Sequence, residues 1–320
     1  YDLVGFSKQQ LIGEEMQAKR FKVVATLAAA TLAVVGTVAT STSANAAGKS
    51  LAGVSITVGS KDFTESIVLS KLVKQFVLAN GGKVVDKTNI KGSVTTREAM
   101  LKGNIDMYWE YTGTAWLVYQ KQTDVNIAPN DLYTKVTAGD KKFGVTGLPM
   151  TSFNDTYAFA ITKANAAKWG VKTYSDLVSK VPADQQIWCV ESEFQSRPDG
   201  WAGFKTKYGI SASATVKVLD TGAIYQATKD GQCTMGEVFA TDGRIGALGL
   251  TVPTEDKPYF PPYNAALTMP NKVAKKYPQL AKALAPIAGK ISNAVMQNLN
   301  ARIDVLGEDA DSVAKSFLVA

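Results

Sequence analysis

Histidine is absent from the 320 residues of this chain. Its absence excludes Ser-His-Asp and Cys-His nucleophile systems, histidine-ligated zinc and the commonest general base near neutral pH. The chain also lacks a GxxxxGK[ST] phosphate-binding loop, so any ATP hydrolysis must belong to a separate protein. An enzyme would have to work with carboxylates, Lys or Tyr, and we expect no catalytic residue, no metal site and no cofactor.

A concentrated basic block is also missing, although Lys plus Arg number 35 against 28 Asp plus Glu. The positive charges are spread along the chain and are not interleaved with aromatic residues, which argues against nucleic-acid binding. With 46% hydrophobic and 20% charged residues, the composition is that of an ordinary globular protein with room for two domains.

The first 46 residues have the pattern of a secretory leader. Lys19, Arg20 and Lys22 precede an uncharged run over residues 23–39, and a small-x-small sequence ends at Ala46. This predicts residues 1–15 to be upstream sequence, Met16 to be the start of a signal peptide, and the mature chain to begin near residue 47 outside the cytoplasm. An uncleaved membrane anchor is the alternative, but the run is short for a membrane span.

The chain has two cysteines, Cys189 in "QIWCVES" and Cys233 in "DGQCTMGEVF". Both stand in apolar, strand-like runs. In an exported protein the compartment is oxidising, which favours a disulfide between neighbouring strands over two free thiols. We expect such a bond to be structural.

Strand-like and helix-like segments alternate from residue 51 onward, which predicts an α/β fold with largely parallel sheets. The pattern restarts near Asp155 and closes at "EDKPYFPPY", whose prolines cannot serve an interior strand. The following "NAALTMP" is a lone strand, so it should return to the first sheet. These observations predict one lobe of residues 51–155 and 259–320, a second lobe of residues 156–258, and a cleft at the two crossovers.

Lys61 and Asp62 in "GSKDFTES" directly follow an alternating apolar run that predicts a strand. Ligands of open α/β sheets gather at the carboxyl ends of strands, beside helix N-termini, so Lys61 is a candidate ligand contact. The alternative is a solvated loop in which Asp62 or Thr64 caps the next helix.

Aromatic residues cluster at the ends of predicted segments, where a cleft would be lined. They are Tyr111, Tyr157, Phe239 and Tyr263. Several ring faces around one point attract a cation that cannot donate hydrogen bonds, such as a quaternary ammonium, by about 0.5 to 2 kcal/mol per ring. Any one of these rings taken singly is also compatible with a place in the core.

Six motifs occur in an order and spacing that resembles the glycine betaine/choline-binding proteins of bacterial ABC importers. They are "GSKDFTES", "EYTGT", "NDTYAFA", "EFQSRPDG", "FATDGRI" and "PYFPPYNAA", and the likeness runs from about residue 54 to the C-terminus. The resemblance implies a two-domain periplasmic-binding-protein fold of the Venus-flytrap type II class. It also implies a trimethylammonium cage formed by Tyr111, Tyr157, Phe239 and Tyr263.

The same resemblance implies that Lys61, Thr114 and Arg197 hold the carboxylate of a betaine ligand. Asp155 is a weaker candidate that could complement the cation, tie Arg197 or Lys61 in place, or serve only as a hinge. Phe239 stands where the family often has tyrosine, so the ring face is kept and the hydroxyl is lost.

Two further segments indicate structural roles. We expect Asp242 and Arg244 to form a turn and interlobe structure, and Tyr225 to pack against the sheet.

The sequence therefore predicts an exported, monomeric binding protein, in the periplasm or on the outer face of the cytoplasmic membrane. It would capture glycine betaine or a related osmoprotectant and deliver it to an ABC permease driven by a separate ATPase. Choline is the alternative ligand, disfavoured because it would leave Lys61 and Arg197 as unpaired buried charges. An enzyme on the same scaffold, and a binding protein for an amino acid, a polyamine or another cationic solute, are the remaining alternatives.

Overall fold

The computed structural model describes residues 50–319, which belong to one compact unit spanning Ala47–Ala320. The predicted leader, with Met16 and the cleavage site at Ala46, lies outside the described residues. Over residues 50–319, no helix combines the length and the apolar character needed to cross a bilayer.

Ten strands carry the sheets. They are β1 Ser55–Lys61, β2 Lys83–Ile90, β3 Tyr108–Tyr111, β4 Val145–Asn154, β5 Tyr157–Thr162, β6 Ile187–Val190, β7 Thr215–Val218, β8 Met235–Phe239, β9 Leu250–Thr251 and β10 Asn264–Pro270.

Helices alternate with the strands. They are α1 Thr64–Ala79, α2 Ser93–Leu101, α3 Thr112–Thr114, α4 Pro129–Asp140, α5 Lys163–Trp169, α6 Tyr174–Ser179, α7 Ser192–Ser196, α8 Trp201–Tyr208, α9 Thr221–Lys229, α10 Arg244–Ala247, α11 Asn271–Lys276, α12 Pro278–Ala288, α13 Asn293–Asp304 and α14 Ala310–Val319. A π-helical turn, Ala115–Tyr119, follows α3, and 3₁₀ turns occur at Lys141–Phe143 and Ala183–Gln185.

The strands form two groups. The first contains the parallel pair β1-β2 and the three-stranded sheet β3-β10-β4, which a parallel bridge from Val58 to Met107 connects. The second is the five-stranded sheet β7-β6-β8-β5-β9. β10 pairs with β3 and β4, so the lone strand does return to the earlier strands as its sequence predicts.

The expectation of largely parallel sheets is wrong. β10 is antiparallel to both of its neighbours, and β5 is antiparallel to β8 and β9. Among the strand pairs of residues 50–319, only β1-β2, β6-β7 and β6-β8 are parallel. The physical reason is that β5 directly follows β4 and that β10 follows the proline-rich segment after β9, so neither strand is preceded by a helix that returns the chain to a parallel direction.

Helix α1 shows how the sequence pattern places the cleft. Its apolar residues Val68, Leu72 and Val73 recur at helical spacing and are fully buried against the sheet. The helix ends at Ala79 with Asn80 as its C-cap, followed by Gly81, whose φ of 86° suits glycine. This packing fixes the first turn of α1 directly after β1, at the carboxyl edge of the sheet.

Candidate functional site

The candidate site is a small cavity of about 70 Å³ where the ends of strands from both sheet groups meet. All four predicted cage aromatics line it, as do Lys61, Thr114 and Asp155. Arg197 is not in the lining, but it contacts three residues that are, Thr114, Glu193 and Tyr157. The remaining lining residues are Asp62, Phe63, Lys91, Gly92, Ser93, Glu191, Ser192, Glu193 and Thr221.

Five aromatic rings surround this cavity. Phe63 lies 5.7 Å from Tyr111 and 5.0 Å from Phe239, measured between ring centroids. Tyr157 lies 5.3 Å from Phe239 and 5.5 Å from Tyr263. The sheet register explains part of this arrangement, because Tyr157 is directly opposite Phe239 on the antiparallel pair β5-β8. The result is a connected set of ring faces at one point.

Buried acids accept hydrogen bonds from two of the tyrosine hydroxyls. Tyr111 Oη donates to Glu65 Oε1 at 2.9 Å, and Tyr263 Oη donates to Asp199 Oδ2. Burial raises the pKa of both phenols well above the ordinary value, so they stay neutral. These bonds fix the orientation of two rings of the cage.

Lys61 is already paired in this structure. Its Nζ lies 2.7 Å from Glu110 Oε1, and the two side chains are 4% and 2% exposed. Glu110 also accepts hydrogen bonds from Tyr108 Oη at 2.6 Å and Tyr119 Oη at 2.9 Å. The ammonium group is 5.0 Å from the centroid of the Tyr111 ring. Lys61 therefore stands beside the cage with its charge balanced.

Arg197 is paired in the same way. It donates to Asp199 through Nε at 2.9 Å and Nη2 at 2.7 Å, and its Nη1 contacts Glu193 Oε1 at 3.0 Å. Its Nη2 lies 3.4 Å from Thr114 Oγ1, and its Cζ lies 5.1 Å from the centroid of the Tyr157 ring. The reasoning that choline would leave Lys61 and Arg197 unpaired does not hold here, because both cations have carboxylate partners within the chain.

Asp155 contacts neither of these cations in the structure. Its Oδ1 lies 2.5 Å from Thr241 Oγ1, and burial raises the pKa of this carboxyl to about 6. Glu65 contacts the same Thr241 hydroxyl from the opposite side. The first-turn residue of α1 and the crossover residue are thus joined through the segment after β8.

Asp242 and Arg244 after β8 pair with each other, and Tyr225 on α9 is buried beside this strand. Arg244 Nη2 pairs with Asp242 Oδ2 at 2.6 Å and reaches Asp304 Oδ2 on α13 at 3.4 Å. Tyr225 is fully buried and its hydroxyl accepts a hydrogen bond from the Phe239 backbone N–H at 3.0 Å. Asp242 and Arg244 therefore connect the β8 end to the C-terminal helices.

Phe63 and the carboxylates were missed in the sequence. Phe63 and Glu65 stand inside "GSKDFTES" and Glu110 directly precedes Tyr111, so the motifs contained the signal. Asp199, Glu191 and Glu193 lie in or next to "ESEFQSRPDG". What these residues do depends on which side chain faces them, and the motifs do not encode that.

Cys189 and Cys233 form a disulfide, with their Cα atoms 5.7 Å apart. It joins β6 to the segment before β8, inside a small apolar cluster with Ile224 and Ala227. Neither cysteine lines the cavity, so the bond stabilises the five-stranded sheet and not the site directly.

The profile of the OpuAC family, described as the substrate binding domain of ABC-type glycine betaine transport systems, matches residues 54–320. The chain belongs to this family. The family consists of solute-binding proteins, which work outside the cytoplasm with ABC transporter permeases and bind small quaternary-ammonium ligands.

Two curated relatives and one solved structure illustrate the family. A glycine-betaine-binding protein of Pseudomonas aeruginosa is 34% identical over 82% of this chain and 86% of its own length. A permease fused to an ergothioneine-binding protein in Helicobacter pylori is 32% identical over 71% of this chain, which spans only 40% of that protein. A crystal structure titled as a glycine betaine/carnitine/choline ABC transporter has a TM-score of 0.68 at 29% identity, covering 82% of this chain and 97% of its own.

Proposed function

We propose that this chain captures glycine betaine, or a related quaternary-ammonium osmoprotectant, in the cavity between the sheet groups. The observation that carries the proposal is the set of five ring faces around one small cavity. A trimethylammonium group has no hydrogen-bond donor. Aromatic ring faces and burial away from water therefore contribute more to its binding than hydrogen-bond acceptors do. The glycine-betaine-binding relative supports this choice of ligand.

Choline is the second candidate, and one observation favours it. Lys61 and Arg197 each have a buried carboxylate partner, so a ligand without a carboxylate does not strand either cation. The cavity also carries Glu193, whose pKa is held below its ordinary value by the nearby charges of Lys61 and Arg197 although burial opposes this. An ionised carboxylate at the cavity adds attraction for a ligand with net positive charge.

We propose that Lys61, Thr114 and Arg197 still contact the carboxylate when the ligand is a betaine. Each of them contributes a donor within or directly behind the lining, and a cation can share its donors between two carboxylates. Asp155 would then help to position the aromatic rings and would not contact the carboxylate of the ligand.

The lobes that would close on the ligand are residues 51–155 with 259–320, and residues 156–258. Five contacts between them lie around the cavity, joining Ser93 to Glu193, Thr114 to Arg197, Tyr263 to Asp199, and both Glu65 and Asp155 to Thr241. A ligand that contacts both lobes stabilises the closed arrangement.

We propose that the protein acts as a monomer outside the cytoplasm and delivers the bound solute to a permease. A separate ATPase would drive that permease, and this chain would catalyse no reaction.

Calorimetric titration of residues 47–320 with glycine betaine and with choline at one salt concentration tests the proposal. Saturable binding of either ligand supports the cage, and the ratio of the two dissociation constants decides the preferred ligand. A folded protein that binds neither ligand contradicts the quaternary-ammonium assignment. Proline and spermidine serve as controls for the amino-acid and polyamine alternatives, and neither should bind.

A further inference from the structure

Two buried carboxyl groups share one hydroxyl behind the aromatic cage. Thr241 Oγ1 is within hydrogen-bond distance of Glu65 Oε2 and of Asp155 Oδ1, the latter at 2.5 Å. The side chains of Glu65 and Asp155 are 3% and 4% exposed, so bulk water does not separate them. The arrangement has the geometry of a shared proton.

Counting hydrogens shows why. A threonine hydroxyl carries one hydrogen, so it can donate to only one of the two carboxyl oxygens. The other contact requires a hydrogen from the carboxyl group itself, because two bare oxygens at this distance repel each other. At least one of Glu65 and Asp155 is therefore protonated in this arrangement. The environment agrees, since burial raises the pKa of Glu65 well above its ordinary value and that of Asp155 to about 6.

The carboxyl pair is connected to three rings of the cage. Glu65 Oε1 accepts the hydrogen bond of Tyr111 Oη at 2.9 Å. Asp155 stands two residues before Tyr157, and Thr241 stands two residues after Phe239. Because α1, the crossover before β5 and the end of β8 meet at this one hydroxyl, a change in the proton count moves the supports of all three rings.

Building on the proposed function, we propose that Glu65 is a positioning residue of the cage, and that the proton it shares with Asp155 through Thr241 must be present for the lobes to close on a quaternary-ammonium ligand. Glu65 acts through Tyr111 and Thr241 and does not contact the ligand itself.

Other charged and titratable groups face the pair from each neighbouring element. Tyr111 on β3 is a neutral donor, and Asn300 on α13 donates to Glu65 Oε2 at 3.3 Å. Asp242 raises the pKa of Asp155 further, while Arg244 is bound to Asp242 and Asp304. No cation pairs with either carboxyl directly among the contacts of residues 50–319, so a hydrogen is what keeps the two acids together.

The direction of the pH effect follows from linkage. When the lobes open, the carboxyls meet water and their pKa values return toward the ordinary range, so closure takes up a proton. Ligand affinity is then highest in mild acid and falls as pH rises between the open-state and closed-state pKa values. The limiting slope for one proton is about tenfold per pH unit.

A second buried acid pair makes a matched control. Glu237 Oε2 accepts from the Glu191 backbone N–H at 2.7 Å, and burial raises the pKa of Glu191 to about 7 and that of Glu237 well above its ordinary value. Glu237 is on β8 and Glu191 directly follows β6, so this pair does not bridge the predicted lobes. Substituting Glu237 therefore shows the effect of removing another buried acid, while the proton shared by Glu65 and Asp155 is unchanged.

The experiment measures glycine betaine and choline affinity from pH 5.5 to 8 for the wild type, Glu65→Gln and Glu237→Gln. Calorimetry in two buffers of different ionisation enthalpy also gives the number of protons taken up on binding. The glutamine amide can donate to Thr241 and accept from Tyr111, which mimics the protonated acid. We expect wild-type affinity to fall about tenfold or more across this range, and Glu65→Gln to keep the acid-pH affinity with a change under about threefold and no proton uptake.

Glu237→Gln should retain the wild-type fall. The inference is overturned if the wild type binds with a flat pH profile, if Glu65→Gln keeps the wild-type slope, or if Glu237→Gln removes it equally. A wild type that binds neither ligand at any pH would instead reject the proposed function, and this inference with it. If circular dichroism shows Glu65→Gln to be unfolded, Asp155→Asn makes the same test from the other carboxyl.

Discussion

At the scale of single residues, Phe239 gives a clean test of whether ring faces hold the ligand. Its ring is half-buried at the cavity and packs on Phe63 and Tyr157. Phe239→Leu keeps the apolar volume and removes the ring face, so we expect affinity for glycine betaine and choline to fall about 2- to 30-fold. Phe239→Tyr keeps the face and should bind within about threefold of the wild type.

Titration calorimetry with thermal unfolding of each variant makes the comparison, since volume-conserving swaps usually cost less than about 1.5 kcal/mol of stability. If the leucine variant and the wild type bind with equal affinity, the Phe239 side chain only shapes the cavity and its ring face does not attract the cation.

Glu110 should control how the site responds to the charge of the ligand. It neutralises Lys61 at 2.7 Å, so Glu110→Gln leaves the ammonium group unpaired beside the cage. We expect affinity for choline to fall relative to glycine betaine by about tenfold, because a free cation attracts the betaine carboxylate and repels choline.

The measurement is the ratio of the two dissociation constants in Glu110→Gln and in the double variant Glu110→Gln/Lys61→Met. The double variant removes both charges and should return the ratio toward that of the wild type. An unchanged ratio in Glu110→Gln would show that Lys61 does not sense the ligand.

Single residues also show what the sequence could and could not predict. The four cage aromatics meet at one cavity because each follows or precedes a strand end, and strand ends can be read from hydrophobic periodicity. The pairing of Lys61 with Glu110 could not be read, because it depends on β1 and β3 lying side by side. A charge in a motif is visible in a sequence, but its counter-charge is set by the tertiary structure.

At the scale of elements, the short helix α3 lies flush against the Tyr263 ring. A Cβ atom added at Gly113 would be 2.6 Å from Tyr263 Cε1 and 2.7 Å from Cδ1. Gly113→Ala should therefore displace this ring and weaken ligand binding by about tenfold, with a stability cost of about 1 to 3 kcal/mol.

Gly147→Ala on β4 is the matched control, because its added Cβ would meet only Thr137 Cγ2 at 3.5 Å. It should leave affinity unchanged. Paired titrations and thermal melts of the two variants decide the matter, and equal affinities would show that the Tyr263 ring has room to shift.

The Cys189–Cys233 bond is expected to stabilise the fold without affecting the ligand. It closes a loop of 44 residues, for which the loop-entropy relation gives about 4 kcal/mol. The double variant Cys189→Ala/Cys233→Ala should lose free energy of unfolding of that order in a urea titration. Its affinity for ligand, measured below the unfolding transition, should match the wild type. A loss of affinity with little loss of stability would contradict the purely structural role.

Elements also divide into those that the sequence predicts and those that it does not. β10 was predicted as a strand returning to the first group, because a single strand cannot form its own sheet. The helix α4 and the strand β4 were not predicted. The apolar positions of β4 are interrupted by Gly147 and Pro149, and the segment is extended because it pairs with β10. The antiparallel direction of β5 and β10 could not be predicted either, because strand direction depends on pairing partners that are distant in the sequence.

For the whole molecule, two carboxyl systems bridge the proposed lobes and respond to pH with opposite signs. The Glu65–Asp155 pair loses its proton as pH rises. Glu193 is bound by the Ser93 backbone N–H at 2.8 Å and by Arg197 at 3.0 Å, and its pKa lies below the ordinary value. A carboxylate with a lowered pKa contributes stability above its unfolded-state pKa and loses it as pH falls through the folded value. Closure should therefore be most favourable in mild acid and weaken on either side.

Glu193 accounts for the weaker closure that we expect at acid pH. Burial opposes its ionisation, but the charges of Lys61 and Arg197 and the hydrogen bond from Ser93 outweigh burial. Glu193→Ala removes an acceptor that spans the cavity mouth, so we expect about tenfold weaker ligand affinity and loss of the decline in affinity below about pH 4.5. Glu193→Gln keeps an acceptor for Ser93 without the charge, and its affinity should lie between the two.

Small-angle X-ray scattering with and without glycine betaine measures closure directly. If Glu193 bridges the lobes, the ligand-free alanine variant should have a larger radius of gyration than the wild type, and saturating ligand should bring the two values together. Glu193 lies in the first turn of α7 and accepts a hydrogen bond from the Ser93 backbone N–H in the first turn of α2. Removing its side chain therefore separates two elements that no other side chain joins among the described hydrogen bonds, whereas its bond to Arg197 stays within one proposed lobe. Identical scattering of the two proteins at every pH would place the closure energy in the Glu65–Asp155 pair alone.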